Sequence, residues 1–343
     1  MIAEADPARG GSQWNHPGAS RHPSRVRRGV FERLGVVDMM DRRQFLKGGF
    51  GGITAVLVAP QLPPIANSQV QKTFSTIPSF PRILTDYGTN VVVQLSREGQ
   101  ISVDSGAPQF TTALIKELGS PGVQTAFNTH YHLENTGSNE ALAQAGAKII
   151  AHENTREWMA TPYWVPSEDR YQKPRPKAAQ PTETFYTSGS LNTGAEQVDY
   201  GYLIEAHTSG DIYVFFRNSN VLAVGDVVSP VRDPELDYFT GAWIGGRVDA
   251  MDKLLKLSDD RTYIVPGYGP VMSRAELKAE RDMMSTIYDR TVDRVREGDS
   301  ADDMLKAGVM NGLPRTFKDP RKFLYDVHKG LWAHHNKLAP NVV

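Results

Sequence analysis

The chain has 343 residues, 40% of them hydrophobic and 22% charged, with a formal net charge of -1. That is enough apolar material for one large domain or two ordinary ones with a sizeable core, and nothing in the charge suggests nucleic acid or an anionic membrane as the main partner. There is no cysteine, which excludes disulfides, thiolate metal ligands and cysteine nucleophiles together.

Residues 1–38 are rich in Arg, Gly, Pro and Ser and lack apolar periodicity, the composition of a disordered segment. They read as a functional basic arm or as a start placed too far upstream. The second reading is favoured, because Met39 or Met40 opens a more familiar signal. Asp41-Arg42-Arg43-Gln44-Phe45-Leu46-Lys47 resembles a twin-arginine export motif, and an uncharged apolar run from Gly48 to Ala59 follows it. The run is too short to cross a bilayer, which takes about 20 residues, but it suits the core of a signal peptide. Residues 39–66 are therefore expected to be a twin-arginine signal peptide, with cleavage near Ala66. That implies the twin-arginine translocase as a partner during export and a periplasmic or extracellular destination. Residues 67–343 are expected to form a single domain ending in helices.

Within that domain, Asn90–Leu95 and Ile101–Asp104 read as a hairpin over the polar turn Ser96–Gln100. Phe110–Leu118 reads as a helix closed by Gly119-Ser120-Pro121-Gly122. A strand through Val123 and Phe127 leads into Thr129-His130-Tyr131-His132-Leu133-Glu134-Asn135-Thr136-Gly137, and a helix-like run Glu140–Ala145 follows. Next come a strand at Ala147–Ala151 and a helix at Asn154–Ala160. Residues 161–181 are polar and Pro-rich with Tyr163, Trp164 and Tyr171, which reads as a long loop that is either functional or simply packed down. Strands return at Thr184-Phe185, Val198–Ile204, Ile212–Phe216 and Val221–Val224. A helix at Arg247–Leu257 precedes a last strand, Tyr263–Val265, which ends at Pro266-Gly267-Tyr268-Gly269-Pro270. A long helix at Arg274–Glu297 and shorter ones near 300–307 and 320–335 close the chain. In the last of these, Phe323, Leu324, Val327 and Leu331 form a stripe that should dock on the body.

The densest chemistry lies at His130-Tyr131-His132-Leu133-Glu134. Histidines at i and i+2 leave a strand on one face, so both imidazoles can aim at one point. Neutral imidazole is the commonest zinc ligand, and three such ligands leave a position for reactive water. This stretch resembles the metallo-beta-lactamase fold superfamily, whose hallmark is Thr-His-x-His-x-Asp-His followed by a Thr-Gly-Gly-Asn-like turn. The resemblance runs from about residue 85 to 300. It implies an α/β fold, the four-layer αβ/βα sandwich, and a metal-dependent hydrolase.

Carried over residue by residue, the resemblance makes His130, His132 and His207 (in His207-Thr208-Ser209-Gly210-Asp211) the ligands of one metal site. Asp226, in Gly225-Asp226, matches a carboxylate that bridges two metals. The second site departs from the pattern: Glu134, Asn135 and Tyr268 stand where the family has Asp, His and the His of Pro-Gly-His-Gly-Pro. An amide oxygen and a phenol with pKa near ~10 are poor zinc ligands at neutral pH. One tight zinc is therefore expected, with the second site weak or absent, though an oxygen-rich pocket could take a harder ion. The replacements read either as lost chemistry or as an altered site. If catalysis survives, Asp226 orients the metal-activated water or serves as fourth ligand, Glu134 accepts its proton and Tyr268 hydrogen-bonds the developing oxyanion.

The expected substrate is a small molecule of ester, thioester or amide type, because the fold does not choose among the superfamily's reactions. Lactams rank low, since the altered second site is where lactamases commonly hold them. The alternative is a non-catalytic ligand-binding protein with at most a structural metal; redox chemistry at a non-haem iron is a third reading. His152 is expected to be structural or to stand behind a ligand, Asp104 to stand behind a ligand or shape a turn, and Asp211 to support the His207 loop; His328, His334 and His335 are expected to face solvent.

Overall fold

A computed structural model describes residues 81–165, 170–194 and 196–338. The leader and signal-peptide expectations, at 1–38 and 39–66, lie outside the described residues. Five strands stand side by side in chain order: β1 (Arg82–Leu84), β2 (Val91–Leu95), β3 (Gln100–Val103), β4 (Val123–Phe127) and β5 (Lys148–His152). A separate hairpin, β6 (Tyr163–Val165) and β7 (Arg170–Gln172), follows, and β8 (Glu183–Phe185) then joins the sheet beside β5. The expected loop at 161–181 is thus corrected to contain a hairpin, its aromatic residues supplying the strand propensity that its prolines concealed. Pairing is antiparallel from β1 to β3 and parallel from β3 to β8.

The second sheet holds β9 (Ser188–Asn192), β10 (Gln197–Tyr202), β11 (Ile212–Phe216), β12 (Val221–Gly225) and β13 (Tyr263–Pro266), in the order β13-β12-β11-β10-β9. Only its β12–β13 pair is parallel.

Alternation along the strands decides how these sheets stack. Val91 and Val93 pack with Leu114, Leu118 and Leu142, residues of helices α1 (Thr111–Leu118) and α3 (Asn139–Gln144). Val92, between them, packs the other way with Phe127, Ile150, Ile212 and Val214, in a core shared by the two sheets. On the second sheet, Val214 faces that shared core while Tyr213 and Phe215 face a third one. That core is completed by α5 (Ile244–Leu257), α6 (Arg274–Glu297), α7 (Ala301–Lys306) and α8 (Pro320–Leu338). The layers therefore run helix, sheet, sheet, helix, the αβ/βα sandwich expected. All five residues of β11 and of β12 are buried, as strands covered on both faces must be.

The stripe Phe323, Leu324, Val327 and Leu331 is buried as expected. His334 is a correction: it stacks on Trp243 with ring centroids 3.6 Å apart and meets the Glu205 carboxylate at 3.5 Å, so it packs rather than facing solvent.

A candidate metal centre at the strand ends

The His130–His132 segment leaves β4 and turns into α2 (Leu133–Thr136), while His207, Asp226 and Tyr268 follow β10, β12 and β13. Backbone bonds hold these loops together: Ile212 N–H donates to Thr129 O at 2.9 Å, and Gly267 N–H donates to Gly225 O at 2.7 Å. Gly225 has a φ of 55°, and a Cβ there would lie 2.7 Å from Thr129 Oγ1. Only glycine lets the Asp226 turn close on the histidine loop. The turn at Gly267 is fastened across the sandwich by Thr89 Oγ1 and Asn90 N–H, which both donate to Gly267 O, at 2.6 and 2.7 Å.

The three imidazoles converge. Ring centroids lie 4.7 Å apart for His130 with His132, 4.7 Å for His130 with His207 and 4.9 Å for His132 with His207. Each ring has its outer nitrogen engaged. His207 Nδ1 donates to Glu235 O at 3.0 Å. His132 Nε2 faces Asp237 Oδ2 at 3.4 Å. His130 Nδ1 lies 3.0 Å from Thr129 Oγ1, whose hydroxyl proton is committed to the Asp104 carboxylate at 2.9 Å. The hydroxyl oxygen therefore accepts from His130 Nδ1–H, which leaves the Nε2 lone pair free. That Nε2 is buried with no hydrogen-bond partner, and His207 Nε2 sits 3.1 Å from His132 Nδ1.

The inner nitrogens all lie within 4.8 Å of one another. Tetrahedral zinc with Zn–N bonds of about 2.0–2.1 Å needs nitrogens about 3.3–3.4 Å apart, so the donor set fits a metal ion. Burial, followed by the neighbouring His207 and His132, holds His130 well below its ordinary pKa, the neutral state a ligand needs. Burial also opposes charge on His132, but the Asp237 carboxylate outweighs it and raises this imidazole to about 9. Asp237 is held below the usual range despite its burial, through His132 and the Tyr131 hydroxyl that donates to it at 2.6 Å.

Asp211 and Asp104 brace the histidine loops, whereas His152 holds a helix start. Asp211 accepts from His207 N–H at 2.6 Å and Thr208 N–H at 2.8 Å, which shapes the His207 loop. His152 accepts from Asn154 N–H at 3.2 Å, capping α4 (Glu153–Ala160), and stacks on Tyr202. Asp104, at φ 63°, accepts from Thr129 N–H and from Asn135 Nδ2, each at 2.8 Å. Burial nevertheless pushes its carboxyl up to about 7.

Among the remaining candidates, Asp226 and Tyr268 line one small cavity with His207, and the Arg232 guanidinium lies 3.3 Å over the Tyr268 ring. Glu134 is half-buried on α2, close enough to pull the His132 pKa upward. Asn135 is buried and spends its amide on Asp104 and on Thr89 Oγ1, the latter at 3.3 Å.

Sequence reasoning missed Asp237 and the buried Arg247. The guanidinium of Arg247 donates to Asp226 O and Glu235 O, both at 3.0 Å, and to Ser229 Oγ at 2.9 Å, bracing the loop that orients His207.

Comparison with known proteins agrees with this geometry. The metallo-beta-lactamase superfamily model matches residues 84–282. The chain belongs to that superfamily. Its relatives include the 2,4-dinitroanisole O-demethylase subunit alpha of Nocardioides sp. (strain JS1661), 24% identical over 275 residues, spanning 77% of this chain and 74% of the relative. Metallo-beta-lactamase IND-1 of Chryseobacterium indologenes is 24% identical over 211 residues, 60% of this chain and 80% of its own. The crystal structure of the BLEG-1 B3 metallo-beta-lactamase superposes with a TM-score of 0.51 at 20% identity, covering 60% of this chain and 99% of that one. This last likeness speaks for the fold alone.

Beside the imidazoles lies a cavity of 580 Å³ bordered by His132, Tyr131, Tyr163, Arg175, Asp237 and Phe239. A larger groove of 1140 Å³, lined by Arg217, Lys256, Arg261 and Glu276 among others, includes none of the site residues. Size alone therefore does not mark the site.

Proposed function

We propose that this protein is an exported metal-dependent hydrolase that uses one tightly held zinc ion to cleave a small ester-, thioester- or amide-type substrate. The observation that carries the reading is the inward turn of His130 Nε2, His132 Nδ1 and His207 Nε2, with all three outer nitrogens already engaged. A divalent ion bound there supplies Lewis acidity and acidifies water at neutral pH.

The chain's own groups divide the remaining work. Asp226, in the same small cavity as His207, orients the attacking water or completes the ligand set. Glu134, near enough to His132 to raise its pKa, accepts the water proton and returns it to the leaving group. The Tyr268 hydroxyl donates to the oxyanion as charge develops, aided by the Arg232 cation stacked on its ring. The aromatic cavity and the relative named for an aryl ether both support substrates carrying a ring. Lactams rank below esters, because Asn135 and Tyr268 replace two of the family's second-site imidazoles.

The test is metal content of the purified protein, followed by an ester, thioester and lactam panel with Glu134→Gln and His130→Ala. About one zinc per chain, lost in His130→Ala, is expected. Glu134→Gln should keep the metal and lose about 10²-fold or more in turnover. Two metals per chain would show that Glu134, Asn135 and Tyr268 do build a second site. Metal without turnover on any substrate would move the reading to a ligand-binding protein. Export rests on Arg42-Arg43; their joint replacement by Lys should leave the precursor unprocessed in the cytoplasm.

A further inference from the structure

The cavity beside His132 has two properties that together specify a ligand. Its first is flat apolar wall. Tyr131 and Tyr163 line it, and Trp158 stands behind them with ring centroids 5.9 Å from Tyr131 and 5.2 Å from Tyr163. Phe239 extends the cluster at 5.8 Å from Trp158. Trp158 is fixed by its indole N–H, which donates to Ser209 Oγ at 2.9 Å. Such faces take a planar ring by stacking or edge contact.

Its second property is a half-buried cation with no carboxylate of the described residues set against it. Lys322 pairs with Asp326 at 2.8 Å. Asp237 is held by Tyr131 and His132, Glu235 is exposed, and Arg170 donates to Gln172 Oε1 at 2.7 Å. Arg175 is half-buried, and among the described residues its guanidinium has no carboxylate within 4 Å. Its backbone is pinned on both sides: Arg175 N–H donates to Met159 O at 2.8 Å, and Gln180 Nε2 donates to Arg175 O at 2.9 Å. Burial holds its pKa below the ordinary arginine value, and the Coulombic pull of Tyr163, Tyr131 and Glu134 opposes this. The group stays cationic at neutral pH. A cation partly stripped of water and lacking a counter-charge is poised for an oxyanion, and the guanidinium fork matches a carboxylate in bidentate geometry.

We propose that Arg175 is the anion-recognising group of a substrate subsite next to the three imidazoles, and that the subsite takes a planar aromatic ring bearing a carboxylate. The inference rests on the hydrolase reading only in calling the bound ring part of a substrate. The binding itself is measured without turnover.

Benzoate is the probe, titrated into the zinc-loaded full chain and followed by tryptophan fluorescence and calorimetry. Saturable binding is expected, weakened about tenfold or more in Arg175→Met and less in Arg175→Lys, which keeps the charge without the fork. Cyclohexanecarboxylate and benzyl alcohol, each lacking one of the two features, should bind several-fold more weakly than benzoate. Zinc content should not change in either variant. No saturable binding, or equal affinity in the parent and Arg175→Met, overturns the proposal. So does benzoate binding that survives Arg175→Met but disappears when zinc is removed, because the carboxylate would then sit on the metal. Arg175-dependent benzoate binding with no ester hydrolysed leaves the subsite standing and removes the hydrolase reading. Ester hydrolysis without Arg175-dependent binding removes the subsite alone.

Discussion

Asp237 offers the sharpest test of how the metal centre is tuned. Its Oδ2 accepts from the Tyr131 hydroxyl at 2.6 Å and faces His132 Nε2 at 3.4 Å. A carboxylate behind a ligating imidazole fixes the ring and raises its basicity, and losing one costs about 10–100-fold in metal affinity. The 3.4 Å separation is long for a charge-assisted hydrogen bond, normally about 2.7–2.9 Å. The expectation for Asp237→Asn is therefore the lower half of that range, about 10–30-fold, or roughly 1.4–2 kcal/mol at 1.4 kcal/mol per decade. Asn keeps the shape and the backbone bond from Asp237 N–H to His207 O at 2.9 Å, so the fold should survive. Zinc affinity is read by competition against a chromophoric chelator, with the urea stability of the metal-free chain as control. Tyr131→Phe, which removes the other donor to the same oxygen, should cost less. An affinity change under about threefold, with normal stability, would refute the idea that this carboxylate tunes His132.

Three further outcomes follow from individual contacts. A Cβ at Gly267 would stand 1.9 Å from Asp226 Oδ1, so Gly267→Ala must turn that flexible carboxylate aside. Turnover should fall on the order of 10–100-fold with zinc retained, and unchanged kinetics would remove Asp226 from the mechanism. Asn135→Ala deletes the 2.8 Å donor to the buried Asp104 and should cost about 1–3 kcal/mol in urea melts; a neutral result would mean the amide is idle. Burial pushes Asp326 up to about 6 from 3.8, even though Lys322 pulls it down. A carboxyl raised in the folded state contributes stability that is complete below its unfolded value and is lost as pH rises through its folded value. The stability difference between wild type and Asp326→Asn should therefore shrink between about pH 4 and 6, and a flat difference would contradict the shift.

What the sequence disclosed depended on how local each signal was. The helix Arg274–Glu297 was read to the residue because both its ends are encoded nearby. Ser273 and Glu276 form a capping box, and Gly298 closes the helix at φ 92°. The imidazole triad was legible because His130 and His132 share one strand end and His207 sits in a compact loop with Asp211. Besides the hairpin inside 161–181, two strands went unread: Arg82–Leu84 is three residues long, and Ser188–Asn192 is Ser-Gly-Ser-Leu-Asn on a sheet edge, where propensity is weak. Asp237 left no signal because its contact with His132 spans 105 positions, and nothing around Asp237-Tyr238-Phe239 marks it as a partner. Arg247 misled for a related reason. On an amphipathic helix an arginine reads as solvent-facing, and only the tertiary structure supplies the carbonyls that bury it.

Asn135 shows where position-by-position likeness stops short of chemistry. The sequence resemblance implies a second-site imidazole at this position, and on that reading the residue is equally a lost ligand or a changed one. In the fold its amide donates to Asp104, and Asp104 accepts the Thr129 hydroxyl that in turn takes the His130 Nδ1 proton. The residue is thus two hydrogen bonds removed from the Thr129–His130 contact, so it braces the three-histidine cluster. A decayed site would be expected to leave a buried polar replacement without a partner, at a cost of about 1–3 kcal/mol. Here the donor half of the amide is fully used, while Oδ1 remains the one unpartnered atom. The donor half of that amide feeds the hydrogen-bond chain that sets the tautomer of His130 and keeps the three-histidine cluster in order.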